Sequence, residues 1–177
     1  MKKDIQDLIT KNYTSARTIA SNVGKVELDA THAFLLEVKE VVETKISKAW
    51  SVKVDDDLNK TWTGLRVSNS NWPDASVKLE GQSKVPWNES IYGIHSHKDE
   101  WSTNVLKDHC SSFDLFSEDT KSNDYWPHFK SMMSLSSVSD RARLFNDNDR
   151  KILVAEVGEK LIELVQLCDK PLTKKTK

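Results

Sequence analysis

Residues 61–96 read "TWTGLRVSNSNWPDASVKLEGQSKVPWNESIYGIHS", and how they are read decides the fold. Three β-rich runs, TWTGLRVS, ASVKLEG and SIYGIHS, are separated by turn-forming segments, NSNWPD and the loop through Pro86. Branched and aromatic residues bounded by Asn, Asp, Pro and Gly are a strand-and-turn signal. A fourth run, WSVKV at 50–54, precedes them across the polar turn DDDLNK. Four short strands joined by short polar connections predict an antiparallel meander with one covered and one solvated face.

The cover comes from the flanks. Ile5, Leu8, Ile9, Ala16, Ile19, Ala20 and Val23 recur at helical spacing, and Gly24 offers a C-cap stop. Asp29 can cap a second helix, along which Phe34, Leu35, Val38, Val41, Val42, Ile46 and Ala49 follow at three- and four-residue steps to about Trp50. A last helix is expected from about Asp149 to Cys168, with Leu153, Val157, Leu161, Leu164, Val165 and Cys168 on one face and Pro171 beyond it. The fold class that follows is α+β: a four-stranded, mostly antiparallel sheet packed by N-terminal and C-terminal helices. The expected organisation is an N-terminal helical segment over 1–27, one α+β domain over 28–170 and a solvated tail over 171–177.

Between these parts, STNVLKDHC reads as a short helix capped by Ser102 or Thr103. From 111 to 148 the pattern is irregular, too long for a plain connection and too apolar for free disorder. It carries Phe113, Leu115, Phe116, Tyr125, Trp126, Phe129, Met132 and Met133. The knot YWPHF at 125–129 reads as a lid over an open sheet face or as a partner-binding edge. Tyr125, Trp126, His128 and Phe129 are therefore the candidate partner-binding residues, with Trp126 expected to be a buried ring.

Charge and composition narrow the function. The chain has 177 residues and a net charge of −1, so no global field draws it to nucleic acid or anionic membrane. No apolar run approaches the roughly 18 residues of a membrane helix, and MKKDIQDLITKN lacks the apolar stretch of a secretory signal. Cys110 and Cys168 fall in no CxxC pattern. A cytoplasmic protein is expected. Of the six tryptophans, five lie between 50 and 101, among acidic residues and few basic ones, which favours rings filling space over a base-stacking platform.

Three arrangements could carry chemistry. On a strand, His95 and His97 share a face, and Asp99 or His109 would complete a metal-binding set; the plainer reading is a wet strand end. Pro73–Asp74 with Asp119–Thr120–Lys121 spells PD…DxK, the Mg²⁺-binding pattern of one nuclease class, but both halves sit in turn-like sequence. Asp55, Asp56 and Asp57 read as a solvated turn before they read as a cation site. No GxSxG, Walker A or GxGxxG run exists. No catalytic residue, cofactor or bound metal is expected.

The order of the segments LDATHAFLLEVKEVVE, DDDLNKTWTGLRVSNSNWPDASVKLEG, SIYGIHS, DYWPHFK and ILVAEVGEKLIELVQLC resembles the C-terminal region of a bacterial PD-(D/E)XK nuclease-like family, over about residues 28–170. The elements that match are Trp62, Gly64 and Leu65, then Tyr92, Gly93 and Ile94, then Trp126, Pro127 and Phe129. In that family the nuclease motifs precede this region. The resemblance therefore implies an accessory module without its nuclease, in cytoplasmic systems linked to mobile elements or phage defence. A protein partner is expected ahead of nucleic acid, with a metal-dependent hydrolase using His95 and His97 as a further alternative.

Overall fold

The computed structural model describes residues 3–70, 72, 75–85, 87, 89–96, 120–132, 135 and 137–169. In chain order it contains α1 (Lys3–Lys11), α2 (Tyr13–Glu43), β1 (Trp50–Val54), β2 (Thr63–Asn69), β3 (Ala75–Gly81), β4 (Ser90–Ser96), β5 (His128–Ser131), α3 (Val138–Ala142), a 3₁₀ turn (Arg143–Phe145) and α4 (Asp147–Leu167). The class is α+β, as the change of period predicts. Among the described residues the sheet has five strands rather than four, in the order β1-β2-β3-β4-β5, and every pairing is antiparallel.

Alternation along the strands makes two faces. The register aligns Val52, Val67, Val77 and Ile94 in one cross-strand row, and Val54, Leu65, Leu79 and Tyr92 in the next. All eight belong to the core that α2 and α4 cover. From α2 come Phe34, Leu35, Val38 and Val42; from α4 come Leu153, Val157, Leu161, Leu164 and Val165. Each such side chain contributes about 1.5–3 kcal/mol when fully buried. The two helices approach closely at Gly158, where a Cβ would lie 2.9 Å from Val41 Cγ1. Ion pairs fasten the layer: Arg150 Nε to Glu37 at 3.0 Å and Arg141 Nε to Glu27 at 2.7 Å. Burial, with the nearby Glu163 carboxylate, pushes the Tyr92 phenol above its ordinary value.

Several expectations need correction. Gly24 does not end a helix. No glycine takes a positive φ among the described residues, and α2 runs through Gly24 to Glu43, short of the expected Trp50. The interruption falls at Asn12, whose φ of −120° and ψ of 33° leave helical geometry and whose side-chain amide donates to Leu8 O at 3.0 Å. The second strand starts at Thr63, because Trp62 has a left-handed backbone. The segment read as irregular holds β5, α3 and the 3₁₀ turn. The last helix starts two residues early, at Asp147, because Asn146 caps it, accepting from Asn148 N and Asp149 N. The possible helix at STNVLKDHC lies outside the described residues.

Tryptophans divide between the layers. Trp50, Trp72 and Trp87 are buried in the core beneath the helices, and the Trp50 indole donates to Asp169 Oδ1 at 2.7 Å. Trp126 is buried on the opposite face, and Trp62 is 65% exposed. Trp101 lies outside the described residues. No helix among the described residues is long and apolar enough to cross a membrane.

Candidate recognition pocket

The sheet face turned away from the helices carries a different set of side chains. Register places Lys53, Arg66, Lys78, Gly93 and Phe129 in one row across all five strands. Ser51, Ser68, Ser76 and His95 form the adjacent row on one side, and Gly64, Glu80, Ile91 and Ser131 the adjacent row on the other. Lys53 and Arg66 are exposed, whereas Lys78 and Glu80 are buried.

Lys78 and Glu80 are two residues apart on β3, so they emerge on one face. Their side chains pair directly at 6% and 4% exposure. The pair is buttressed. Lys78 Nζ also donates to Trp62 O at 3.0 Å, and Gln82 Nε2 donates to Glu80 Oε1 at 2.9 Å. A buried pair is retained only when geometry and further hydrogen bonds offset its desolvation, and these bonds supply that. Among the described residues Lys78 uses two of its three N–H donors.

Above the pair lies a cavity of about 420 Å³ lined by Trp62, Lys78, Glu80, Gln82, His95, Asn123, Tyr125 and Trp126. Its rim is built by two devices. Trp62 sits at φ 62°, a region that aromatic residues seldom occupy. Two hydrogen bonds hold it there, its N–H to Gly81 O at 2.9 Å and its carbonyl to Lys78. Opposite in sequence, the chain enters β5 through an Asx turn: Asn123 Oδ1 accepts from Tyr125 N and Trp126 N, both at 2.9 Å. Lys121 and Phe129 exchange paired backbone bonds at 3.0 Å, and Ser96 N donates to Tyr125 O at 2.8 Å. The Trp126 ring then packs edge-on to His95 at 5.2 Å and against Phe129 at 5.9 Å. A second cavity of about 380 Å³, lined by Ser51, Arg66, Ser68 and Ser76 among others, adjoins it through His95.

The structure brings together three of the four sequence candidates. Tyr125, 48% exposed, and Trp126, 5% exposed, line the cavity, and Phe129 supports Trp126 from below. His128 does not join them: it pairs with Ile94 on β5, where alternation turns it to the helix side of the sheet. His95 faces the cavity, while His97 and Asp99 lie outside the described residues, as do Asp74 and Asp119. Among the described residues no group of three His, Cys, Asp or Glu side chains is placed to hold a metal ion. The DDD stretch is a turn: Asp55 Oδ2 accepts from Gly64 N at 2.9 Å and Asp57 Oδ1 accepts from Asn59 N at 3.1 Å.

Trp62 enters from the sequence only through the family resemblance, and Lys78, Glu80, Gln82 and Asn123 are not among its candidates. One signal was present: opposite charges two apart in a strand share a face and can pair there. No protein-family model matches this chain, and no curated protein or solved structure matches it either.

Proposed function

We propose that this chain is a non-catalytic recognition module that binds a protein partner through the open face of its sheet. The observation that carries the reading is Trp62, an exposed indole fixed in left-handed backbone at the rim of the same cavity as Tyr125. Such a conformation costs about 1–3 kcal/mol and persists where surroundings enforce it, which makes it a marker of function. Exposed aromatic rings around a partly polar floor are the composition of an interface anchor site. The occupant is a partner side chain with a planar or apolar body, lying between Trp62 and Tyr125. Its polar tip accepts the remaining N–H of Lys78.

Protein is favoured over nucleic acid because the cavity floor holds a paired charge and the whole chain is near neutral, while nucleic-acid affinity draws on clustered Lys and Arg. The exposed Lys53 and Arg66 are the features that would favour the second reading. The motif order resembling PD-(D/E)XK nuclease-like proteins supports an accessory, non-cutting role in the cytoplasm, in phage defence or counter-defence.

Selection of peptides from a random display library against the full chain tests this. Selected peptides are expected to lose at least tenfold in affinity for a Trp62→Ala, Tyr125→Ala double variant whose melting temperature stays near the parent's. Peptides that bind both proteins equally would overturn the pocket. Micromolar binding to short DNA or RNA that falls steeply with salt would move the reading to nucleic acid.

A further inference from the structure

Along the helical arm at residues 3–26 no side chain is buried. No residue of α1 is buried, and the first buried position of α2 is Thr31. The arm nevertheless carries a seam. Ile5, Ile9, Asn12, Ala16, Ile19, Val23 and Val26 succeed one another at steps of four, three, four, three, four and three residues. That is a heptad repeat, with Ile9, Ala16 and Val23 in column a and Ile5, Asn12, Ile19 and Val26 in column d. The flanking columns e and g hold Gln6, Leu8, Tyr13, Ser15, Ala20 and Asn22. Thus every residue on the seam and its flanks from 5 to 26 is uncharged, and the charges Asp7, Lys11, Arg17 and Lys25 all fall on the far side.

We infer that residues 5–26 form a parallel, in-register two-stranded coiled coil with a second copy of this chain. The proposal is independent of the recognition pocket. Three observations select the occupant. First, a repeat of 3.5 keeps a seam facing a second helix only if the two supercoil, whereas a helix docking on a globular surface follows 3.6. Second, the uncharged stripe is complementary to itself, so a copy needs no matching charge. Third, the area suffices. The stripe takes about four-sevenths of a helix roughly 33 Å long and 10 Å wide, near 600 Å² per copy and about 1,200 Å² per pair. That total reaches the lower bound of specific interfaces, about 1,200 Å². Phe145, 50% exposed, extends it: with Ile19, Val23 and Val26 it lines an apolar groove of about 440 Å³ where the arm meets the domain.

Asn12 sets the orientation. A parallel, in-register pair places Asn12 opposite its copy, where the two amides can bond each other, a device that fixes register. Antiparallel packing centred on Asn12 would strand Val23 and Val26. Packing centred elsewhere would bury Asn12 against an apolar side chain. The helix bends at Asn12, yet Asn12 N to Leu8 O at 3.1 Å and Ala16 N to Asn12 O at 2.9 Å carry the hydrogen-bond ladder across.

Sedimentation equilibrium of the full chain from 1 to 200 µM tests the proposal. The expected mass is twice 20.2 kDa at the upper concentrations. An Ile19→Glu, Val23→Glu variant is expected to weaken association at least a hundredfold, while its melting temperature at low concentration stays unchanged because both positions are exposed. Ile19→Cys, in a Cys110→Ser, Cys168→Ser background, is expected to cross-link as a dimer on mild oxidation. A monomer at 200 µM would overturn the proposal. So would a dimer that survives the double glutamate variant, failure of Ile19→Cys to cross-link, or a monomer that instead binds anionic vesicles through the arm.

Discussion

Trp126 is buried but lies outside the core that the helices cover. Its ring is wedged between His95 and Phe129 on the open face, with a cavity on its remaining side. Removing a buried tryptophan ordinarily costs about 3–5 kcal/mol, the cost rising with the void left behind. Here water can refill the space from the cavity, so Trp126→Ala is expected to cost about 3 kcal/mol, read as a lowered urea midpoint with an unchanged slope. A variant that unfolds like the parent would show that the ring contributes little to the fold. The residue scale is also where sequence was least informative. Burial of Trp126 follows from the apolar knot around it. The left-handed backbone of Trp62 does not, because it is imposed by a carbonyl acceptor, Gly81 O, and a lysine, Lys78, both brought in by the adjacent strand β3.

Among the elements, β5 is held against β4 by a close approach at one glycine. A Cβ on Gly93 would run into the carbonyl oxygen of His128 and lie 2.6 Å from Phe129 Cα, both on β5. Gly93→Ala is therefore expected to push β5 off β4, at about 1–3 kcal/mol. Faster hydrogen exchange at Met132 N, which donates to Ser90 O on β4 at 2.8 Å, with β1–β3 unaffected, is the measurement that checks it. Unchanged exchange across β5 would mean the edge can yield without separating. Strands β1, β3 and β4 were legible to the residue because alternation and turn chemistry agree there. β5 was not: its four residues, HFKS, are only partly covered and carry no clear two-residue rhythm. The Gly24 stop failed for the converse reason, since a glycine on an exposed helix face is tolerated at about 1 kcal/mol and is not obliged to end it.

At the scale of the molecule, the stable unit begins near Glu27, where the Arg141 ion pair ties α3 to α2. Among the described residues, deleting 1–26 removes no buried side chain. Measured at sub-micromolar concentration, the truncated protein is expected to keep its unfolding free energy to within about 1 kcal/mol while losing helical ellipticity. A large loss of stability would mean that the arm supports the domain directly. The α+β class was legible because it depends only on where the hydrophobic period changes from 3.6 to 2 and back. The open-face pocket was not, because it is assembled from strand register and from a turn distant in sequence.

The meander order has a kinetic consequence. β1 through β4 join neighbours over short stretches, so each hairpin closes at small entropic cost and can form early. β5 returns to β4 only after the chain has run from Ser96 to His128, a far longer closure. The final pairing of the sheet is the one that delivers Tyr125 and Trp126, so a refolding chain acquires the hydrophobic rows of β1–β4 first and the wall of the open-face cavity last. A nascent or stressed molecule would thus pass through a state that is already compact yet still lacks its open-face cavity.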